Sequence, residues 1–194
     1  MKKFPLLVLL LGFSVLLRAQ EIVQLPKDET GKYTYYEVVN TTVSQDTLSV
    51  RLLSFIQKQK KELRPATVGN TKELVANGKL IIRKSMAMLS HPSGEIAYRL
   101  YFEANNGKYR FWLSNFEFFP YQKDRYGNFV PSTMVGIPLE TEPKKWNVDQ
   151  WEDYRLQTSK YATEFAARLK DHLLHKTVQA PQSAEKKVIS KTWE

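Results

Sequence analysis

The chain has no cysteine among its 194 residues. That excludes disulfides, zinc–thiolate sites, thiol nucleophiles and lipid attachment to an N-terminal cysteine. Histidine is scarce, with three in the chain, so a histidine-built metal or catalytic centre has few positions to draw on. The sequence contains no G-x-S-x-G, no phosphate-cradling glycine loop, no dinucleotide fingerprint and no H-E-x-x-H. Long apolar runs are limited to Phe4–Leu17, 14 residues, short of the roughly 20 that a spanning helix needs. What remains is an ordinary globular composition, 42% hydrophobic and 25% charged with eight glycines and nine prolines. A chain of this length can bury a core without covalent staples, so one domain with short appendages is expected.

The apolar run follows Lys2 and Lys3 and leads through Leu17-Arg18-Ala19 to Gln20. A positive start, a short apolar stretch and a small residue at the cut make residues 1–19 a secretory signal peptide. An uncleaved interfacial anchor is the alternative, because Leu17 is bulkier than the residue usual at that position before the cut. Without residues 1–19 the chain keeps 26 basic against 20 acidic residues, a net +6. Export makes nucleic acid an unnatural partner and points to an envelope protein, glycan or lipid in the periplasm, outside the cell or at the envelope. No second apolar run follows, so no transmembrane span is expected after signal removal.

Residues 20–30 form a lead-in to a first strand over Lys32–Val39, rich in β-branched and aromatic residues. A helix follows over Asp46–Leu63, capped by Ser44 or Asp46, with Leu48, Leu52, Phe55, Ile56 and Leu63 at helical spacing and Pro65 as its stop. Lys58, Lys60 and Lys61 suit the negative end of that helix and need no ligand to explain them. Residues 66–76 are a strand candidate, Asn77-Gly78 signals a tight turn into a strand over Lys79–Leu89, and Ser90 to Gly94 forms another turn.

Glu95–Ala104 and Lys108–Phe119 are predicted as a hairpin closed by Asn106-Gly107, a pair that readily takes the positive φ angles of a type I′ turn. With Asn105 opposite Lys108, Ala104, Phe102 and Leu100 face Tyr109, Phe111 and Leu113 on an apolar core side. On the other side Glu103 pairs with Arg110, Tyr101 with Trp112, Arg99 with Ser114 and Ala97 with Phe116, and the face ends near Phe118. Residues 120–146 hold four prolines and two glycines and read as a long loop or a broken edge hairpin. A second helix starts near Asn147, which with Gln150 resembles a capping box. It presents Trp151, Tyr154, Thr158, Tyr161, Phe165, Leu169 and His172 as one stripe and ends near Lys176. Residues 31–177 thus form one domain and 178–194 a flexible tail. No internal repeat is present.

Strand, helix, several antiparallel strands and a long last helix give a β-α-β(4)-α order. Together with the signal peptide, the Asp46–Leu63 helix and the I-A-Y-R-L-Y-F-E-A-N-N-G-K-Y-R-F-W-L-S-N-F hairpin, the chain resembles a Bacteroidetes family of exported domains of unknown function with a TATA-binding-protein-like (TBP-like) fold. The resemblance covers about residues 31–120. It implies an α+β fold of two layers, a curved antiparallel sheet with two helices on one face, and carries over no functional residue.

For chemistry, Asp171-His172-Leu-Leu-His175 places two histidines on one helical face, but the dipole of a last turn accounts for them without a metal. Ser90-His91 are neighbours in sequence, which does not set a hydroxyl against its own neighbour's imidazole. Thr47, in Asp46-Thr47-Leu48, resembles a short bacterial O-glycosylation acceptor and equally suits a first helical turn. No catalytic residue, metal ligand or cofactor is assigned. The candidate binding residues are Arg99, Tyr101, Arg110, Trp112, Phe116 and Phe118, aromatics interleaved with arginines on the face opposite the core. The expected function is a non-enzymatic binding or interaction module in the envelope. The alternative is a periplasmic hydrolase or other enzyme with a pocket at the 120–146 loop.

Overall fold

The computed structural model describes residues 24–66, 73–86, 89–105 and 107–175. The signal-peptide and tail assignments lie outside these residues. Seven strands and two helices follow in the order β1 (Tyr35–Asn40), α1 (Gln45–Lys58), β2 (Leu63–Pro65), β3 (Glu73–Met86), β4 (Leu89–Asn105), β5 (Lys108–Lys123), β6 (Phe129–Pro131), β7 (Ile137–Pro138) and α2 (Val148–His175). The sheet runs β1-β5-β4-β3-β2, with every pairing antiparallel and the short β6 and β7 also on β5. Because β1 and β2 lie at opposite edges, α1 carries the chain across the whole sheet. The two layers and the strand–helix–four strands–helix order match the sequence-based expectation, with β6 and β7 added.

Both helices pack on one side of the sheet. Leu48, Leu52, Phe55 and Ile56 of α1 and Trp151, Tyr154, Phe165, Leu169 and Leu173 of α2 share a single core with Leu80, Ile96, Leu100, Phe102, Phe111 and Leu113 of the strands. Ser44 caps α1, its Oγ accepting from the Thr47 amide at 3.4 Å, and the Thr47 hydroxyl is bonded back to Ser44 at 2.8 Å. The lead-in belongs to the same body. Leu25 is buried, and Asp28 Oδ1 closes a turn by accepting from the Thr30 and Lys32 amides at 2.8 and 3.0 Å.

Several boundaries differ from the sequence reading. Helix α1 ends at Lys58, not Leu63, and Leu63 is fully buried as the first residue of β2. Burial of Leu63 satisfies helical and extended periodicity alike, and Arg64, preceding Pro65, is biased away from the helical region. Asn77-Gly78 is no turn but lies inside β3, opposite Arg99 and Tyr98. Gly78 is required there for space, since an added Cβ would sit 2.2 Å from Tyr98 Cζ. Ser90 to Gly94 is likewise strand, in β4, with a register shift in its pairing to β3 between Ile82 and Arg83. Pro92 stands opposite Arg83, whose carbonyl accepts from Gln157 Nε2 at 3.0 Å, so the N–H that proline lacks leaves no acceptor unpaired.

The segment after Phe119 is the broken hairpin rather than an unstructured loop. Strand β5 continues to Lys123, turns over Asp124–Asn128 with Gly127 at φ +82°, and returns as β6. Leu139 then docks in the core, its carbonyl accepting from Trp151 Nε1 at 3.2 Å and Arg155 Nε at 3.3 Å. Asn147 precedes α2 and its carbonyl takes the Trp151 amide at 3.0 Å, but the expected capping box does not form. Asn147 Oδ1 has no partner among the described residues, and Gln150 reaches forward to the Tyr154 hydroxyl.

Candidate functional site

The outer face of the sheet, away from the helices, is read from the strand register. Asn105↔Lys108, Glu103↔Arg110, Tyr101↔Trp112 and Arg99↔Ser114 pair as the hairpin pattern predicts, with Leu100↔Leu113 and Phe102↔Phe111 on the core side. Strands β1 and β3 extend these pairs into rows. One row is Tyr36, Trp112, Tyr101 and Val75; the next is Val38, Arg110, Glu103 and Glu73; on the other side lie Ser114, Arg99, Asn77 and Arg64.

Below Arg99 the prediction fails. Ala97 faces Glu117 rather than Phe116, because Tyr98 is opposed by two residues of β5, Asn115 and Phe116. Asn115 holds φ at +56°, a left-handed conformation that asparagine tolerates better than most residues. The extra residue inverts every later side chain. Phe116 and Phe118, expected on the open face, therefore lie in the core at 0% and 5% exposure. Phe116 packs beside Tyr98 at 6.0 Å and Phe118 against Tyr154 at 4.3 Å between ring centroids. Of the six candidates the structure brings Arg99, Tyr101, Arg110 and Trp112 together and removes the two phenylalanines.

Tyr101 and Trp112 stack on each other, centroids 5.1 Å apart and planes 8° from parallel. Tyr36 adjoins Trp112 at 6.4 Å and is 53% exposed, as is Val38 at 49%. Mutual stacking turns the ring edges, rather than the faces, toward solvent. The Arg110 guanidinium lies 5.6 Å from the Trp112 centroid and donates from Nε to Glu103 Oε2 at 2.6 Å. That hydrogen bond to Glu103 raises the Arg110 pKa above its ordinary value. Partial burial, with the nearby Glu103 charge, raises the Glu73 carboxyl above its own. Tyr101 is fixed through its hydroxyl, which accepts from Asn115 Nδ2 at 3.0 Å, while Asn115 Oδ1 accepts from Lys32 Nζ at 2.6 Å.

Tyr36, Val38, Arg110, Glu103 and Glu73, from four adjacent strands, border a hollow of about 630 Å³ at the hairpin-tip end of the sheet, which Gln45 of α1 and Tyr109 of the core side also line. A second hollow, of about 590 Å³, lies between β3 and α2 around Lys79, Ile81, Arg83, Lys160 and Tyr161. Tyr36, Val38, Glu73, Asn77 and Arg64 escaped the sequence reading. Alternation within each strand marked which residues share a side, but only the β1–β5, β3–β4 and β2–β3 pairings place them beside the hairpin.

Among the described residues no three of His, Asp and Glu are grouped as metal ligands would be. His172 lies edge-on to Phe55 at 5.3 Å, its Nε2 without a partner among the described residues. Burial first, and then the Lys58 charge, lower its pKa. His91 stacks on Phe129 at 6.2 Å. The side chains of Ser90 and His175 lie outside the description. No described helix is long and apolar enough to cross a membrane.

Residues 35–119 match the family described as a domain of unknown function (DUF4468) with TBP-like fold. The likeness to DUF4468 spans less than half of the chain. The match runs from the first residue of β1 to Phe119 in β5, so it includes α1 and all three rows of the open face. The whole fold is similar to two solved structures. A DUF4468 family protein from Bacteroides ovatus superposes with a TM-score of 0.55 at 14% identity, covering 81% of this chain and 94% of that one. A TBP-like protein from Parabacteroides distasonis does so with a TM-score of 0.55 at 10% identity, covering 77% and 96%. No curated protein matches the chain. At such identities the two solved structures establish the TBP-like fold alone.

Proposed function

We propose that this protein, whose residues 35–119 resemble DUF4468, is exported to the cell envelope and acts there as a non-enzymatic binding module through the open face of its sheet. The observation that carries the reading is the composition of the open face. Tyr36 and Val38 are about half exposed beside the Tyr101–Trp112 stack, and the Arg110–Glu103 pair runs alongside. Exposed aromatics beside arginines are the composition of recognition surfaces rather than of inert ones. The signal-like residues 1–19 support export, and the net +6 that follows their removal suits an anionic envelope component.

A photo-crosslinking residue tests this in producing cells. Placed at Tyr36, on the open face, it is expected to yield adducts with an envelope component. Placed at Glu164, exposed on α2 on the opposite side, it is expected to yield none. Adducts from position 164 alone, or from neither position, refute the reading.

A further inference from the structure

Most charged side chains near the open face are already engaged. Lys79 binds Glu95 at 2.8 Å, Arg110 binds Glu103, and Lys32 binds Asn115. Arg64 and Arg99 are different. They flank Asn77 in one row across β2, β3 and β4, all three are exposed, and neither arginine has an acidic or hydrogen-bonding partner among the described residues. Only β3 lies between them, so they stand two strand spacings or about 10 Å apart, and two such long side chains can close on one anionic group above Asn77. The amide of Asn77 offers a further donor at the centre.

The adjacent row supplies the rest of a ligand site. Because Tyr101 and Trp112 stack on each other, their edges point outward and carry polar hydrogens. The Trp112 indole N–H has no partner among the described residues. Tyr101 uses its hydroxyl oxygen as an acceptor for Asn115, which leaves the O–H to donate. The face therefore presents hydrogen-bond donors beside apolar ring edges, with an unpaired cationic row next to them. We infer that the Arg64–Asn77–Arg99 row and the Tyr36–Trp112–Tyr101 row together bind an acidic saccharide. The arginines hold its carboxylate or sulfate, and the ring edges meet its hydroxyls and apolar carbons.

The inference rests on the open-face reading and adds the ligand class. Edge-on rings argue against single-stranded nucleic acid, which is held by ring faces on which bases stack.

Fluorescence anisotropy on the purified protein tests the inference, with a labelled heparin hexasaccharide as probe. Maltohexaose, a thymidine hexanucleotide and phosphatidylglycerol vesicles serve as competitors. The hexasaccharide is expected to bind, with maltohexaose at least about tenfold weaker and affinity falling with salt. Arg64→Gln with Arg99→Gln is expected to weaken binding at least about tenfold. Removing two charges elsewhere, by Lys123→Gln with Arg125→Gln, is expected to change it less than about twofold. All four side chains are exposed, so an unchanged urea midpoint confirms that the variants fold.

Equal loss in both double variants overturns the inference, as does hexanucleotide or vesicle binding that is as tight and depends on Arg64 and Arg99. If the hexasaccharide does not bind while Tyr36 still cross-links in cells, the ligand class is wrong and the open-face reading stands. If both fail, the reading fails with it.

Discussion

Gly78→Ala probes whether β3 runs straight through Asn77-Gly78. The new methyl would sit 2.2 Å from Tyr98 Cζ and 2.5 Å from both Cε2 and the hydroxyl, more than 1 Å inside ordinary carbon contact. Tyr98 has little room to yield. It is 2% exposed, its hydroxyl is bonded to that of Tyr161 at 2.8 Å, and Phe116 and Phe165 flank its ring with centroids 6.0 Å away. Overpacking of a filled site costs typically 1–3 kcal/mol, and a 2.2 Å approach takes the upper end; alanine recovers roughly 0.5–1 kcal/mol over glycine in a strand, so a net loss of about 2 kcal/mol is expected. In a urea titration with a slope of about 2 kcal/mol/M, the midpoint falls by about 1 M.

Two companions separate this from a turn. Asn77→Ala, on the exposed face, is expected to stay within about 0.5 kcal/mol. In a Tyr98→Leu background the cost of Gly78→Ala is expected to vanish, because the atoms it strikes are gone. A Gly78→Ala protein as stable as the parent, or an equal cost with and without the Tyr98 ring, would refute the packing argument.

Phe116→Ala is expected to cost about 3–5 kcal/mol and Trp112→Ala about 1 kcal/mol, since the first empties a core position and the second removes a partly buried ring from a stack on the outer face; comparable losses in denaturant titrations would contradict the register inversion at Asn115. The lowered pKa of His172 means the folded state resists its protonation, so stability is full above the ordinary histidine value near 6.5 and declines as pH falls below it. His172→Phe is expected to flatten the urea midpoint between pH 7 and about pH 5.5, where a profile as steep as the parent's would assign the loss to other groups. Mass spectrometry of protein recovered from the envelope is expected to find a chain beginning at Gln20, and an intact Met1 would rule out cleavage there.

How much was legible follows from the range of the interactions involved. The hairpin register from Arg99 to Asn105 could be read directly, because an Asn-Gly turn pins two strands that alternate cleanly on both sides. The helical stripe of α2 was equally visible, from Trp151 through Phe165 to Leu169, since about five turns of period-3.6 burial leave little ambiguity. The bulge was foreshadowed but missed. Continuing the alternation past Leu113 would have buried Asn115 and exposed Phe116 and Phe118, a conflict that one extra residue in the left-handed region resolves.

By itself the sequence determined the two-layer α+β order, most element positions and the Tyr101–Trp112 pair, all consequences of local periodicity and turn chemistry. Only the tertiary structure decided that Asn77-Gly78 is strand. A glycine looks the same in a turn as beneath a tyrosine ring, and Tyr98 arrives from 20 positions further along the chain. It also decided the membership of the open face, because Tyr36, Val75 and Arg64 reach the hairpin through pairings between distant segments. Their energies depend on side chains that no local pattern reports.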